Sequence, residues 1–172
     1  MPEPLPEPWL RGPLPGVEPA IASILFAFQQ AREDLEKHTE GLSREQIWAR
    51  PHGLTPLGFH LRHIAGSVER LIAYLLGRDL SDAQMTALRN EMDPSASREE
   101  LLESIHQSLD DAERVIRSTH PGAFPEPRFV GRKRLPTTVA GLAIHIAEHT
   151  QRHVGQAIGA AKLVRSFSNA RL

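Results

Sequence analysis

Cysteine is absent from this 172-residue chain. No disulfide, thiolate metal ligand or cysteine nucleophile can contribute, so any thiol chemistry must use a thiol from outside. An excess of one charge is also lacking. Twenty Lys and Arg against 21 Asp and Glu leave a formal net charge of -1, which gives no electrostatic reason to expect nucleic acid or a membrane surface as partner. No apolar run reaches membrane-spanning length. The opening residues, MPEPLPEPWLRGPLPG, are too acidic and proline-rich for a secretory signal. These absences point to a cytoplasmic protein. A β-pattern of useful length and an internal repeat are missing too.

What remains is helical. With 40% hydrophobic residues and the length of one domain, the chain can enclose a real core. Residues 1–16 hold six of the 14 prolines and read as an extended arm, packed on the surface or disordered, that forms neither a helix nor a central strand. From about Val17, Ile21, Ile24, Leu25, Phe28 and Leu35 recur three and four apart, predicting an amphipathic helix that ends near Gly41. A short element follows at SREQIW. A second long helix is predicted from about Pro56 to Leu76, with a stripe of Leu57, Leu61, Ile64, Val68, Leu71 and Leu75. Residues 79–96 read as a connection with a short helix at DAQMTALRN. Ser97 and Glu100 form a capping box that opens a third helix, which stops before Pro121. Residues 121–136, with the basic cluster Arg132, Lys133 and Arg134, read as a solvated loop. Thr137 or Thr138 caps a fourth helix that runs to about Lys162. The fold class is all-α: a four-helix bundle over 17–162, with the proline-rich arm before it and a tail at 163–172.

The chemistry-bearing feature is a set of histidines. His145, His149 and His153 stand four apart in LAIHIAEHTQRHVGQAIG, so each lies about 40° around the helix from the last. With nine histidines in the chain, one such pair would arise by chance in about half of comparable sequences, but three in register in about one of forty. On the helical projection His153 lies at the margin of the apolar face, His149 slightly further out and His145 furthest toward solvent. Small neighbours such as Ala143, Ala147 and Gly155 would let another helix approach. The alternative is a set of partly exposed surface histidines with Glu148 and Gln156 as ordinary polar neighbours. A second pair, His60 and His63, stands in GFHLRHIAG. Periodicity alone favours His60 as the inward-facing residue, with His63 further round beside Ser67 and Tyr74.

Three stretches carry a resemblance to the DinB/YfiT-like superfamily of four-helix bundles, in its DinB-type branch. GFHLRHIAGSVERLIAYL resembles the family's second helix, LAIHIAEHTQRHVGQAIG its last, and LSREQIWARPHGLTPLGFH the segment between first and second helices. The likeness runs over about residues 17–162. It implies that His63, in His63-Ile64-Ala65, and the pair His149 and His153 before Gly155-Gln156 bind a divalent metal such as zinc, nickel or iron. The resemblance thus favours His63 over His60, by local unwinding or tilt of the helix, and leaves His60, His145 and Gln156 as second-rank or alternate ligands. Val154 departs from the arginine that many relatives carry there. The implied activity is a metal-dependent thiol S-transferase, using an external low-molecular-weight thiol, or a hydrolase, acting on a small-molecule substrate; the alternative is a metal-binding bundle without turnover, in stress response or metal handling. The resemblance also allows a homodimer.

Overall fold

Serines begin three of the helices, each through the same reciprocal contact. Ser43, Ser81 and Ser97 accept the backbone N–H three residues on, while Gln46, Gln84 and Glu100 reach back to the cap N–H. Each box satisfies two donors that a helix start would otherwise leave bare. They open α2 (Arg44–Trp48), α4 (Asp82–Arg89) and α5 (Arg98–Ser118). Proline supplies the other starts: Pro19 begins α1 (Pro19–Thr39), and Pro56 precedes α3 (Leu57–Leu75). The last helix, α6, runs from Val139 to Asn169, with the Thr138 hydroxyl accepting from the Gly141 N–H at 3.0 Å. The computed structural model describes residues 5–169; the first four residues of the expected arm and the last three of the expected tail lie outside the described residues.

The expected apolar stripes face one another. Ile21, Ile24, Leu25, Phe28 and Leu35 of α1 meet Leu61, Ile64 and Val68 of α3, Ile105 and Leu109 of α5, and Ile146, Val154 and Ala157 of α6 in one buried cluster. α3 packs against α5 and α6, and α1 packs against the same two. Going round the bundle the order is therefore α1, α5, α3, α6, with α1 and α3 across a diagonal. This order sets the helix that carries His60 and His63 against the one that carries His149 and His153. Among the described residues, no helix is long and apolar enough to cross a membrane.

Three local expectations are corrected. Residues 121–136 are not simply a loop. Pro127–Val130 (β1) and Leu135–Thr138 (β2) pair antiparallel, Pro127 opposite Thr138 and Val130 opposite Leu135. Both strands contain proline, which a two-stranded ribbon tolerates because each strand has a free edge. Gly131 and Arg134 take positive φ in the turn, so the basic cluster forms an exposed hairpin tip. The arm is not wholly extended: Pro8–Leu10 makes one 3-10 turn, since proline is tolerated at a helical first position. Beside it the Arg11 guanidinium grips the Glu33 carboxylate with two bonds of 2.6 and 2.7 Å. Finally, α6 continues seven residues past Lys162, because Val164 extends the buried stripe of Ala157 and Ala161.

One residue of α6 is at odds with its surroundings. Thr150 is fully buried, and its hydroxyl has no hydrogen-bond partner among the described residues. A buried hydroxyl without a partner costs about 1–3 kcal/mol of desolvation. Thr150→Val, which keeps the branched shape, is expected to stabilise the protein by about 1 kcal/mol; denaturant midpoints of the two proteins measure this.

Candidate metal centre

The adjacency of α3 and α6 brings together side chains 86 or more positions apart in sequence. His63 Nε2 lies 3.0 Å from His149 Nε2. The His153 ring closes the group, its centroid 4.4 Å from that of His63 and 4.7 Å from that of His149. One ring nitrogen from each of the three lies within 4.8 Å of the others. Among the described residues this is the one group of three or more His, Asp or Glu side chains that could hold a metal ion. All three are half-buried at the seam of the two helices.

The remaining histidines take other positions. His60 is more buried than His63, as its place on the apolar stripe predicts, yet its Nδ1 faces His153 Nδ1 at 3.3 Å, beside the trio. α3 is continuous from Leu57 to Leu75, so no unwinding turns His63 inward. α3 and α6 pack so that both His60 and His63 reach histidines of α6. His145 is half-buried, with its ring 5.4 Å from that of His149 and its Nδ1 3.5 Å from Glu148 Oε2. Glu148 is itself paired with Arg152 on the surface. Gln156 is exposed and lines a groove of about 440 Å³ together with His60, Thr55, Leu54, Leu57 and Leu163. Ser67 turns its hydroxyl to the Ile64 carbonyl, and Tyr74 packs against the core.

Two further residues complete the centre. Phe59 stacks on His63, ring centroids 5.3 Å apart and planes 16° from parallel. Glu91, in the connection after α4, places Oε2 2.7 Å from His63 Nδ1 and accepts from Arg70 Nη2 at Oε1, 2.8 Å away. Sequence reasoning missed Glu91, because a lone acid in a connecting segment carries no pattern. Arg70 was the available signal. It stands seven residues after His63 on the same flank, and a buried arginine requires a carboxylate partner.

The electrostatics favour the neutral form of His60, His149 and His153. Burial, and after it the neighbouring rings and Arg152, pull His149 and His153 each down to about 4. Burial also lowers His60, with His63 adding to the effect. Burial raises Glu91, but hydrogen bonds from His63 and Arg70 together outweigh it and leave the carboxyl below its ordinary value. The histidine shifts make stability depend on pH. In the unfolded chain these rings take up protons near 6.5, in the folded chain only near 4. Between those values the unfolded state binds more protons, so acid favours it. The metal-free protein is expected to keep its full stability above about pH 6.5 and to lose it progressively toward pH 4. Denaturant melts of the metal-free protein across that range check this; a flat profile would contradict it.

The donor set suits a divalent ion. His63 uses Nδ1 on Glu91, which leaves Nε2 facing the centre, and imidazole nitrogens are ligands that zinc, nickel and iron share. Fold and site thus describe a helical bundle with a three-histidine centre at the seam of two helices. The chain belongs to the DinB superfamily, whose family model matches residues 27–157. No curated protein matches it. Among solved structures it is similar to YfiT from Bacillus subtilis, described as "a probable metal-dependent hydrolase with an unusual four-helix bundle topology". The two are 12% identical, with a TM-score of 0.63 over 88% of this chain and 91% of that one. At that identity the likeness shows the fold alone.

Proposed function

We propose that this protein is a divalent-metal-dependent enzyme acting on small molecules, of the hydrolase or thiol S-transferase type. The observation that carries the reading is the convergence of the His63, His149 and His153 ring nitrogens within 4.8 Å. Three protein ligands leave a coordination position open, which is the catalytic rather than the structural arrangement. When bound, a divalent ion supplies Lewis acidity and lowers the pKa of a water or thiol placed against it. The protein residues do the rest. The three histidines hold the ion, and Phe59 shields one face of His63. The groove lined by His60, Gln156, Thr55 and Leu163 is of a size to take a small molecule with an apolar portion. His60 belongs both to that groove and to the edge of the trio, a position from which its ring can hold or pass a proton.

Hydrolysis needs only water, and the description of YfiT as a probable metal-dependent hydrolase is consistent with it. Transferase activity needs an external thiol, because the chain has no cysteine. The test is turnover of electrophilic and ester substrates by zinc-, nickel- and iron-loaded protein, with and without glutathione, bacillithiol or mycothiol. Turnover that is lost on chelation supports the reading, and its dependence on thiol separates the two reaction types. A second reading, a metal-binding bundle without turnover, is favoured by one observation: neither the carboxylate at the centre nor the surface one nearest it is free to act as a base. Glu91 is engaged by His63 and Arg70, and Glu148 is paired on the surface. Tight metal binding without turnover of any substrate class would establish that reading instead.

A further inference from the structure

We propose that Glu91 is the positioning residue of the metal centre, fixing the tautomer of His63 and, braced by Arg70, setting the affinity of the three-histidine site for divalent metal. The inference rests on the metal reading above and goes beyond it. Glu91 does not simply neutralise a buried arginine, because its two oxygens are divided: Oε1 takes Arg70 at 2.8 Å and Oε2 takes His63 at 2.7 Å. Both side chains of the ion pair are nearly out of solvent, 6% exposed for Glu91 and 10% for Arg70. A carboxylate there accepts the Nδ1 proton of His63. In the neutral ring this leaves the lone pair on Nε2, the atom that points to His149. Carboxylates placed behind a ligating imidazole orient the ring and raise its basicity.

The surroundings hold this arrangement in place. Arg62 donates to the Asn90 carbonyl at 2.9 Å, which fixes the backbone next to Glu91 against α3. Gly66 leaves room between His63 and Arg70. A Cβ there would come within 2.7 Å of Arg70 Nη1 and 3.3 Å of Glu91 Oε1. His63, Gly66 and Arg70, at intervals of three and four, therefore form one flank of α3 shaped around the carboxylate. Arg70 has a second consequence. By holding Oε1 it keeps Glu91 from turning toward the trio as a fourth ligand, which preserves an open position.

Two variants separate the roles. Glu91→Gln removes the charge but keeps a carbonyl acceptor. Arg70→Met/Glu91→Leu removes acceptor and cation together, so no buried charge is left unpaired and the fold is kept. Zinc affinity is measured by competition with a chromophoric chelator, and folding by circular dichroism. The His63 tautomer is read from ring nitrogen chemical shifts in the metal-free protein. The parent is expected to carry the His63 proton on Nδ1. The double variant is expected to show mixed tautomers and zinc affinity lower by about 10–100-fold with helical content unchanged, and Glu91→Gln an intermediate loss. A parent His63 protonated on Nε2, or unchanged zinc affinity in the double variant, would overturn the proposal. If the parent itself takes no zinc, the metal reading fails separately. The tautomer of His63 in the metal-free parent and double variant then still decides whether Glu91 positions the ring.

Discussion

His149→Ala/His153→Ala is expected to bind no zinc, nickel or iron where the parent binds near-stoichiometric metal. The pair lies on one face of α6, and each ring contributes a nitrogen to the group within 4.8 Å. Removing both leaves His63 alone with its Glu91 partner, and one imidazole does not retain a divalent ion against buffer. His60 does not replace them, because its Nδ1 lies against His153 Nδ1 rather than opposite His63 Nε2. His145 projects to solvent and cannot replace them either. Isothermal titration of metal-free parent and variant measures the loss. Retained stoichiometric binding in the variant would move the site elsewhere. Circular dichroism should show the same helical content in both proteins, since neither ring belongs to the apolar core.

The second large effect falls on stability and should be independent of metal. Phe28 on α1 is completely buried in the cluster shared by all four long helices. Phe28→Ala removes a ring from that cluster and leaves a cavity, at a cost of about 3–5 kcal/mol. The cost should be equal with and without metal, because the core is formed by apolar stripes and the histidine seam lies to one side. Chelation of the parent, by contrast, should leave helical content intact and lower stability only modestly, unlike a domain that metal folds outright. Denaturant titrations of parent and Phe28→Ala, each with and without zinc, give all four values. Unfolding of the parent on chelation would show that metal and core are one cooperative unit.

These two results separate what the sequence makes legible from what it does not. The bundle could be read because four apolar stripes keep a three- and four-residue spacing, and because Ser97 and Glu100 mark a helix start within local reach. The hairpin at 127–138 could not, since Pro127 and Pro136 argue against strands and only the two-stranded pairing tolerates them. The end of α6 was placed too early at Lys162, although Val164 continues the stripe. At the site, His149 and His153 were legible because one helix fixes their relation. The choice between His60 and His63 was not, because it depends on which flank of α3 meets α6. Periodicity ranked their burial correctly, His60 being the more buried, but burial does not say which ring nitrogen converges with those of His149 and His153. Glu91 was invisible because its role comes from a contact 28 residues away. Arg70, buried on a helix with no acid of its own in reach, was the residue that should have prompted the search.

The central claim is that His63, His149 and His153 together hold a divalent ion with a position left open. X-ray absorption at the zinc edge, on tag-free protein reconstituted with one equivalent of zinc, tests it most directly. The account predicts three imidazole nitrogens at about 2.0–2.1 Å and one further light scatterer, as in a three-histidine catalytic site. A spectrum dominated by oxygen, or one with fewer than three imidazoles, would contradict it.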